Sequence, residues 1–416
     1  MYGIFVYLHR IMEEKVLETA SLAGHVLLEN GAEIARVEET MERIARHYGV
    51  EAQNFVLSNG IFTTGNAGHA KVEFIPFKGA QLERVAAVNQ VSRDIEADLY
   101  TVDQARERLL QIRSSRPKPA WEQVLGSAVG SGGFCVIFGG GLLDAAAAFC
   151  VGLLLWIFVV GVSSRWSSKA IGNIVGSALA TILCIVFHRI GFGVSLGNMI
   201  VGSLIPLIPG VAFTNGIRDI ADEDYIAGAT RLLDAMMVFF CIAAGVVLTF
   251  MAAYLLEGSI IEVSGTEPDA LCSRLWIQVA AAFAGTLGFA VIFGVPRRNY
   301  LQTAIVAAIG WAAYLALVRY TVLGPAISTF VATVIVASLA RTFASWFKTP
   351  STVYLIPGVF PMIPGGGIFW TTLFLVQSRL GLALHSGMLA LEVTAAIVLG
   401  IVLVSSLPKK LFYRKN

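Results

Sequence analysis

Two proline–glycine breaks interrupt apolar segments at matching places in the two halves of this chain. The first reads Leu204-Ile205-Pro206-Leu207-Ile208-Pro209-Gly210, and the second runs from Leu355 through Pro357, Pro361 and Pro364 to Gly365-Gly366-Gly367. A proline inside a helix removes a backbone donor and clashes with the preceding turn, at a cost of about 3 kcal/mol. Lipid supplies no water to compensate, so broken backbone at membrane depth survives only where protein or a polar cavity covers it. Paired breaks in corresponding halves therefore point to a transport site at the junction of two repeats.

The charge is unevenly placed. The chain is 56% hydrophobic with a net charge of +2, and about a quarter of residues 1–119 are charged against roughly a tenth of the rest, the shift expected between a soluble and a membrane domain. So small a net charge gives no reason to expect a nucleic-acid partner. Cys135, Cys150, Cys184, Cys241 and Cys272 are scattered, mostly in apolar segments, without ligand spacing, and read as small buried hydrophobes. The first apolar stretch is short and meets Glu13-Glu14-Lys15 at once, unlike a cleaved leader.

Residues 10–48 predict two helices, one carrying Val16, Ala20, Ala23, Val26 and Leu27 and stopped by Asn30-Gly31, the other carrying Ile34, Val37, Met41, Ile44 and Ala45. Short β-like runs follow at 54–58, 61–64 and 71–77. Helices near 80–96 and 101–115 lead to a Ser-Ser-Arg-Pro-Lys-Pro linker at 114–119. His25, Glu33, Arg36, Glu38, His47, Ser58, Thr63 and His69 are the reactive groups of this α+β domain. They form no GxSxG or HExxH pattern, and Glu33, Arg36 and Glu38 to Arg46 read as a solvated helix face. A regulatory or assembly domain is the expectation.

From residue 120 the chain is a series of apolar runs, each near the 20 residues needed to cross about 30 Å of hydrocarbon. Spans are predicted near 121–139, 142–162, 169–188, 194–214 and 226–255, and again near 274–295, 299–318, 323–346, 352–376 and 384–407. The halves align at one register: Gly130, Gly133 and Phe134 with Gly285, Gly288 and Phe289, Trp156 with Trp311, and Pro206, Pro209 and Gly210 with Pro361, Pro364 and Gly365. Roughly five spans per half, an odd number, makes the second copy inverted. The expected fold is thus a polytopic α-helical membrane protein of about ten spans. Its parts are a cytoplasmic domain 1–119, repeats at 120–257 and 274–416, and an extracytoplasmic loop 258–273 between them. Charge agrees with this topology. Arg165, Lys169, Arg218, Arg297, Arg298, Lys348, Lys409, Lys410, Arg414 and Lys415 fall on the inner side, whereas the longest outward turn, counted over 257–273, carries Glu257, Glu262, Glu267 and Asp269. Both termini are then cytoplasmic, in a multi-pass protein of the cell membrane.

Three motifs resemble those of the threonine/serine exporter family in its fused single-chain form. They are Asn30-Gly31-Ala32-Glu33-Ile34-Ala35-Arg36-Val37-Glu38-Glu39-Thr40; Ile208-Pro209-Gly210 followed by Asn215-Gly216-Ile217-Arg218-Asp219 with Gly228, Arg231 and Asp234; and the Pro-Gly stretch at 357–367. The resemblance implies export of a small amino acid. Two-subunit relatives imply succinate-type dicarboxylates as the alternative cargo. The family's soluble domain has been likened to a hydrolase, which would make the chain a membrane-anchored enzyme, but no matching nucleophile motif occurs.

The residues themselves give an order of candidates. A broken helix offers an N-terminus to a carboxylate and a C-terminus to an ammonium or coupled cation. That selects the backbone around Pro206, Pro209, Gly210, Pro357, Pro361, Pro364, Gly365, Gly366 and Gly367, with Asn215, Arg218 and Asp219 as inner gate or substrate contacts. Charges at membrane depth are costly and usually functional, which makes Asp234 and Glu392 candidate proton carriers, with Arg231 as a partner of Asp234; an ion pair of Asp234 with Arg231 or Arg218 is the structural alternative. Arg341 snorkels, His188 and His385 are interfacial, and Asp144 caps a helix. Small residues such as Gly126, Gly130, Gly172 and Gly176 permit close helix packing. No P-loop pattern supports ATP-driven pumping, and no cofactor is expected. Protons, the bilayer and a small-molecule substrate are the expected partners, and a homo-oligomer is compatible with the sequence.

Overall fold

The computed structural model describes residues 2–66, 70–166, 168–258, 263 and 269–412. His69, Glu262, Glu267, Arg414 and Lys415 lie outside them. The N-terminal part begins with a long helix α1 (Tyr2–Glu29), followed by α2 (Ile34–His47), a three-stranded antiparallel meander of β1 (Ala52–Leu57), β2 (Gly60–Gly65) and β3 (Ala70–Phe74), and then α3 (Leu82–Glu96) and α4 (Val102–Ser114). Val16, Ala20, Ala23, Val26 and Leu27 of α1 are fully buried, as are Ile34, Val37, Met41 and Ile44 of α2, so the helical spacing of apolar residues builds a core between these elements. α1 stops before Gly31, which has φ +87°, a left-handed geometry that glycine adopts without penalty.

The remaining helices are α5 (Ala120–Ile137), α6 (Leu142–Gly161), α7 (Lys169–Arg189), α8 (Leu196–Leu204), α9 (Gly210–Ala221), α10 (Tyr225–Glu257), α11 (Leu275–Ile292), α12 (Tyr300–Tyr320), α13 (Pro325–Trp346), α14 (Thr352–Val359), α15 (Gly365–Val376) and α16 (Leu380–Ser405). Among the described residues seven helices are long and apolar enough to cross a membrane, or nine spans if each bent pair counts as one. The expected span that falls short is α5, because Glu122 and Gln123 in its first turn, together with Gly126, Ser127, Gly130, Ser131, Gly132 and Gly133, dilute its apolar content. The same small residues make α5 a packing helix.

α5 and α11 cross at backbone distance. A Cβ on Gly126 would stand 2.7 Å from the Gly288 carbonyl oxygen, and one on Gly133 would stand 2.8 Å from that of Ala281. Phe134 covers Gly285 while Phe289 covers Gly130, and the two rings meet edge-on at 5.1 Å. Each contact is thus made twice, with the partners exchanged. A bond internal to each half also recurs: Trp156 Nε1 donates to Gln123 Oε1 at 3.4 Å, and Trp311 Nε1 to Gln278 Oε1 at 3.2 Å.

Both breaks share one geometry. α8 ends in a 3-10 turn at Ile205–Leu207, Ile208 is extended, and α9 restarts at Gly210; α14 ends in a 3-10 turn at Phe360–Met362, Ile363 is extended, and α15 restarts at Gly365. The bends are 65° and 40°. Local bonds cover some of the freed backbone groups: Gly210 N donates to Ile208 O at 2.8 Å and Gly365 N to Ile363 O at 2.7 Å.

The N-terminal part is bonded to the helical part at several points. Leu82 N and Glu83 N, at the start of α3, donate to Phe293 O and Gly294 O, just beyond the end of α11, at 3.1 and 2.6 Å. Unpaired amides of one helix thereby meet unpaired carbonyls of another, with opposite dipole ends in contact. Lys169 Nζ donates to Phe77 O at 2.6 Å and Arg93 to Lys348 O at 2.6 Å.

Candidate functional site

The two breaks face each other. A Cβ on Gly210 would stand 2.8 Å from Cδ2 of Phe360 in the second break, and one on Gly365 would stand 2.5 Å from Cδ1 of Ile208 in the first. Next to this crossing lies a cavity of about 30 Å³, lined by Ile205 and Ile208, by Phe239, Ile242 and Val246 of α10, and by Gly365, Ile368, Phe369 and Thr372. That is the space of one water molecule. Its only polar lining side chain, Thr372, donates to Ile368 O at 3.0 Å. α15 starts at Gly365, which lines the cavity, and α9 starts at Gly210, against Phe360; the first amides of any helix lack an intrahelical acceptor.

Of the residues singled out in the sequence, Pro206 and Pro361 lie in the 3-10 turns, while Pro209 and Pro364 immediately precede the restarted helices. Pro357 sits within α14 and is buried. Gly366 lies against Phe138, and Gly367 against Ala390 of α16.

Asn215, Arg218, Asp219 and Arg231 do something the sequence did not suggest. They grip the loop between α1 and α2. Asn215 Nδ2 donates to Gly31 O at 2.7 Å, Arg231 Nη2 to Ala32 O at 2.9 Å, and Ile34 N to Asp219 Oδ1 at 3.0 Å. Asp219 Oδ2 in turn receives Arg231 Nη1 at 2.7 Å. Arg218 reaches Glu33 Oε1 at 3.4 Å, and Arg36 reaches the same oxygen at 2.7 Å. Burial pushes the Glu33 carboxyl up, but the guanidiniums of Arg218 and Arg36 outweigh it and hold the group at about 2. The expectation that Glu33 belongs to a solvated face is corrected accordingly: it is 2% exposed, because the loop that carries it is pressed onto α9 and α10. The signal in the sequence was the family motif itself, whose Asn30–Glu33 segment meets the Asn215–Asp219 segment.

Asp234 and Glu392 are exposed on the outer sides of α10 and α16, among Leu233, Met237, Met388 and Leu391, which are exposed as well. Neither has a hydrogen bond or ion pair among the described residues. The considered ion pair of Asp234 with Arg231 or Arg218 does not form, since both arginines are engaged by Asp219 and Glu33. Asp144 is three residues into α6 rather than its N-cap; its carboxylate accepts from Gly141 N at 2.9 Å and from Ser195 N at 2.9 Å, tying the start of α6 to that of α8.

Among the described residues, the polar groups of the N-terminal part form no nucleophile–base pair. His25 Nδ1 meets Glu73 Oε1 at 2.7 Å with Arg113 at its other nitrogen, His47 lies 3.2 Å from Asp98, and Ser58 receives Thr230 Oγ1 at 2.8 Å. Among the described residues no cluster of three or more His, Cys, Asp or Glu side chains could hold a metal.

Two family models match the chain. One, described as a threonine/serine exporter, matches residues 18–253, and a second of the same description matches residues 278–407. A threonine/serine exporter of Corynebacterium glutamicum is 20% identical over 93% of this chain and 81% of its own length. An uncharacterised protein of Schizosaccharomyces pombe is 22% identical over 68% of this chain, and pheromone-regulated membrane protein 10 of Candida albicans is 23% identical over 81%. The chain spans only 35% and 31% of those two fungal proteins. No solved structure matches it.

Proposed function

The chain belongs to the threonine/serine exporter family, one of membrane exporters rather than enzymes, and on that premise we propose that it exports threonine, serine or a similar small polar amino acid as a secondary transporter. The observation that carries the reading is the meeting of the two breaks, Gly210 against Phe360 and Gly365 against Ile208, beside one cavity. Helix N-termini at α9 and α15 suit an α-carboxylate, and carbonyls at the ends of α8 and α14 suit an ammonium. A space of about 30 Å³ admits one water and no amino acid. Loading therefore requires the halves to part.

The contacts made twice with exchanged partners, Phe134 on Gly285 and Phe289 on Gly130, support an inverted repeat of roughly five spans per half. Alternating access then rocks one repeat against the other about the α5–α11 crossing, whose glycines permit sliding at backbone distance. In this reading residues 1–119 are a cytoplasmic domain, 258–273 an extracytoplasmic loop, both termini are cytoplasmic, and the protein sits in the cell membrane. Asp234 and Glu392 are the proposed proton carriers. Cargo choice follows from the cavity lining, which holds no cation to receive a second carboxylate; Arg218 is engaged with Glu33 instead. The reading is tested by efflux of labelled threonine, serine or succinate from proteoliposomes with and without a pH gradient. Succinate efflux alone would overturn the cargo, and no efflux of any of the three would overturn export of these solutes.

A further inference from the structure

The joint between the loop 30–34 and α9 contains polar atoms that its own bonds leave unmet. Among the described residues, Glu33 Oε2, Thr214 Oγ1, Asn215 Oδ1, and Nε and Nη1 of Arg218 are buried without a hydrogen-bond partner. Native proteins rarely leave such groups unpaired, and each one needs a physical reason. These are not scattered. Thr214, Asn215 and Arg218 are spaced i, i+1 and i+4 on α9, which places Thr214 and Asn215 one turn from Arg218. Glu33 approaches from the other side, its Oε1 3.4 Å from Arg218 Nη2. Thr214 is 0%, Asn215 1% and Glu33 2% exposed.

The unmet atoms form a complementary set. Arg218 offers two donors with a positive charge, suited to a carboxylate. Glu33 Oε2 and Asn215 Oδ1 offer acceptors, one of them charged, suited to an ammonium. Thr214 Oγ1 serves either as donor or as acceptor. A solute that satisfies the whole set carries one carboxylate and one ammonium. A dicarboxylate would bring a second negative charge against Glu33, and a simple amine would leave Arg218 unmet.

We propose that this joint is a binding site for an α-amino acid zwitterion, separate from the cavity between the breaks, with the carboxylate on Arg218 and the ammonium on Glu33 and Asn215. Because Glu33 and Arg218 also join the two parts of the chain, occupancy is sensed where α9 leads away from the first break. The choice of threonine as first probe rests on the exporter reading; the site chemistry does not.

The test is ligand binding by the full chain in detergent, measured by calorimetry with threonine, threoninol (no carboxylate), 3-hydroxybutyrate (no ammonium) and succinate. Threonine is expected to bind at least about tenfold more tightly than the other three, the worth of one charge-assisted hydrogen bond. Arg218→Gln should weaken threonine by a similar factor and leave threoninol unchanged, whereas Glu33→Gln should weaken threonine and leave 3-hydroxybutyrate unchanged. Thr214→Val, which breaks none of the bonds across the joint, should weaken threonine a few-fold and covers the case in which a charge variant does not fold. Gly365→Val, which fills the crossing of the breaks, should abolish efflux and spare this binding. Threonine binding lost in Gly365→Val but unchanged in Glu33→Gln, Arg218→Gln and Thr214→Val would overturn the proposal, as would no preference for the zwitterion. Absence of efflux from the unmodified protein with this binding intact would instead overturn the exporter reading alone.

Discussion

Gly210, which restarts the helix after the first break, lies directly against the ring of Phe360, in the second. A Cβ at position 210 would stand 2.8 Å from Phe360 Cδ2 and nearer still to Cε2, closer than a side chain tolerates without displacing a neighbour. Gly210→Ala should therefore cost about 1–3 kcal/mol by overpacking and slow efflux. Phe360→Leu in the same chain should restore part of both. Thermal unfolding and efflux of the two single variants and the double variant check this. Additive losses would show that the two breaks are not coupled through this contact.

Asp219 and Arg231 hold the loop between α1 and α2 from a buried position, with Asp219 0% and Arg231 8% exposed. Removing one partner strands the other charge, which typically costs about 3–5 kcal/mol, while replacing both with apolar groups is often far milder. Asp219→Ala and Arg231→Met alone should each expose the 30–34 loop to hydrogen exchange, and the double variant should expose it less than either. Equal protection in all four proteins would show that this pair does not fasten the joint.

This joint also marks where the sequence stopped being legible. The breaks could be read because proline and glycine act locally, and the α5–α11 packing because its small residues recur at helical spacing. Asn215, Arg218 and Asp219 were read as gate or substrate contacts since they follow a break by a few residues. The groups they bond to in the fold, Gly31, Ala32, Glu33 and Ile34, are distant in sequence (Ile34 and Asp219 are separated by 185 positions), and no periodicity reports a contact of that range. Glu33 looked solvated for the same reason: its i,i+3 neighbour Arg36 was visible and Arg218 was not.

The contribution of Glu33 to the pH dependence of the joint has a definite sign. Glu33 is held at about 2, below its ordinary 4.5. A group whose carboxyl is lowered by folding stabilises the fold above its unfolded pKa and loses that contribution as pH falls. The share of the protection of residues 30–34 that Glu33 supplies, read as the difference between the unmodified protein and Glu33→Gln, should thus be full near neutrality and decline as pH drops through 4.5 toward 2. Glu33→Gln should be less protected at neutrality and flatter over the acid range. An unchanged acid profile in that variant would contradict the role given to Glu33.

Asp234 and Glu392 stand exposed on apolar helix faces without an ion-pair partner among the described residues, and the proposed coupling makes them the proton carriers. Asp234→Asn and Glu392→Gln should each abolish the stimulation of efflux by a pH gradient while sparing threonine exchange at equal pH on both sides. Gradient-driven efflux at the unmodified rate in the double variant would remove both from the coupling mechanism.

The most direct measurement is threonine efflux from proteoliposomes of the purified chain, compared with Gly365→Val, in which the added side chain lands on Ile208 where the breaks meet. Saturable threonine or serine efflux is expected, abolished by this substitution while the protein stays folded. Efflux that survives in the folded variant, or its absence from the unmodified protein, would contradict a transport path between the two broken helices.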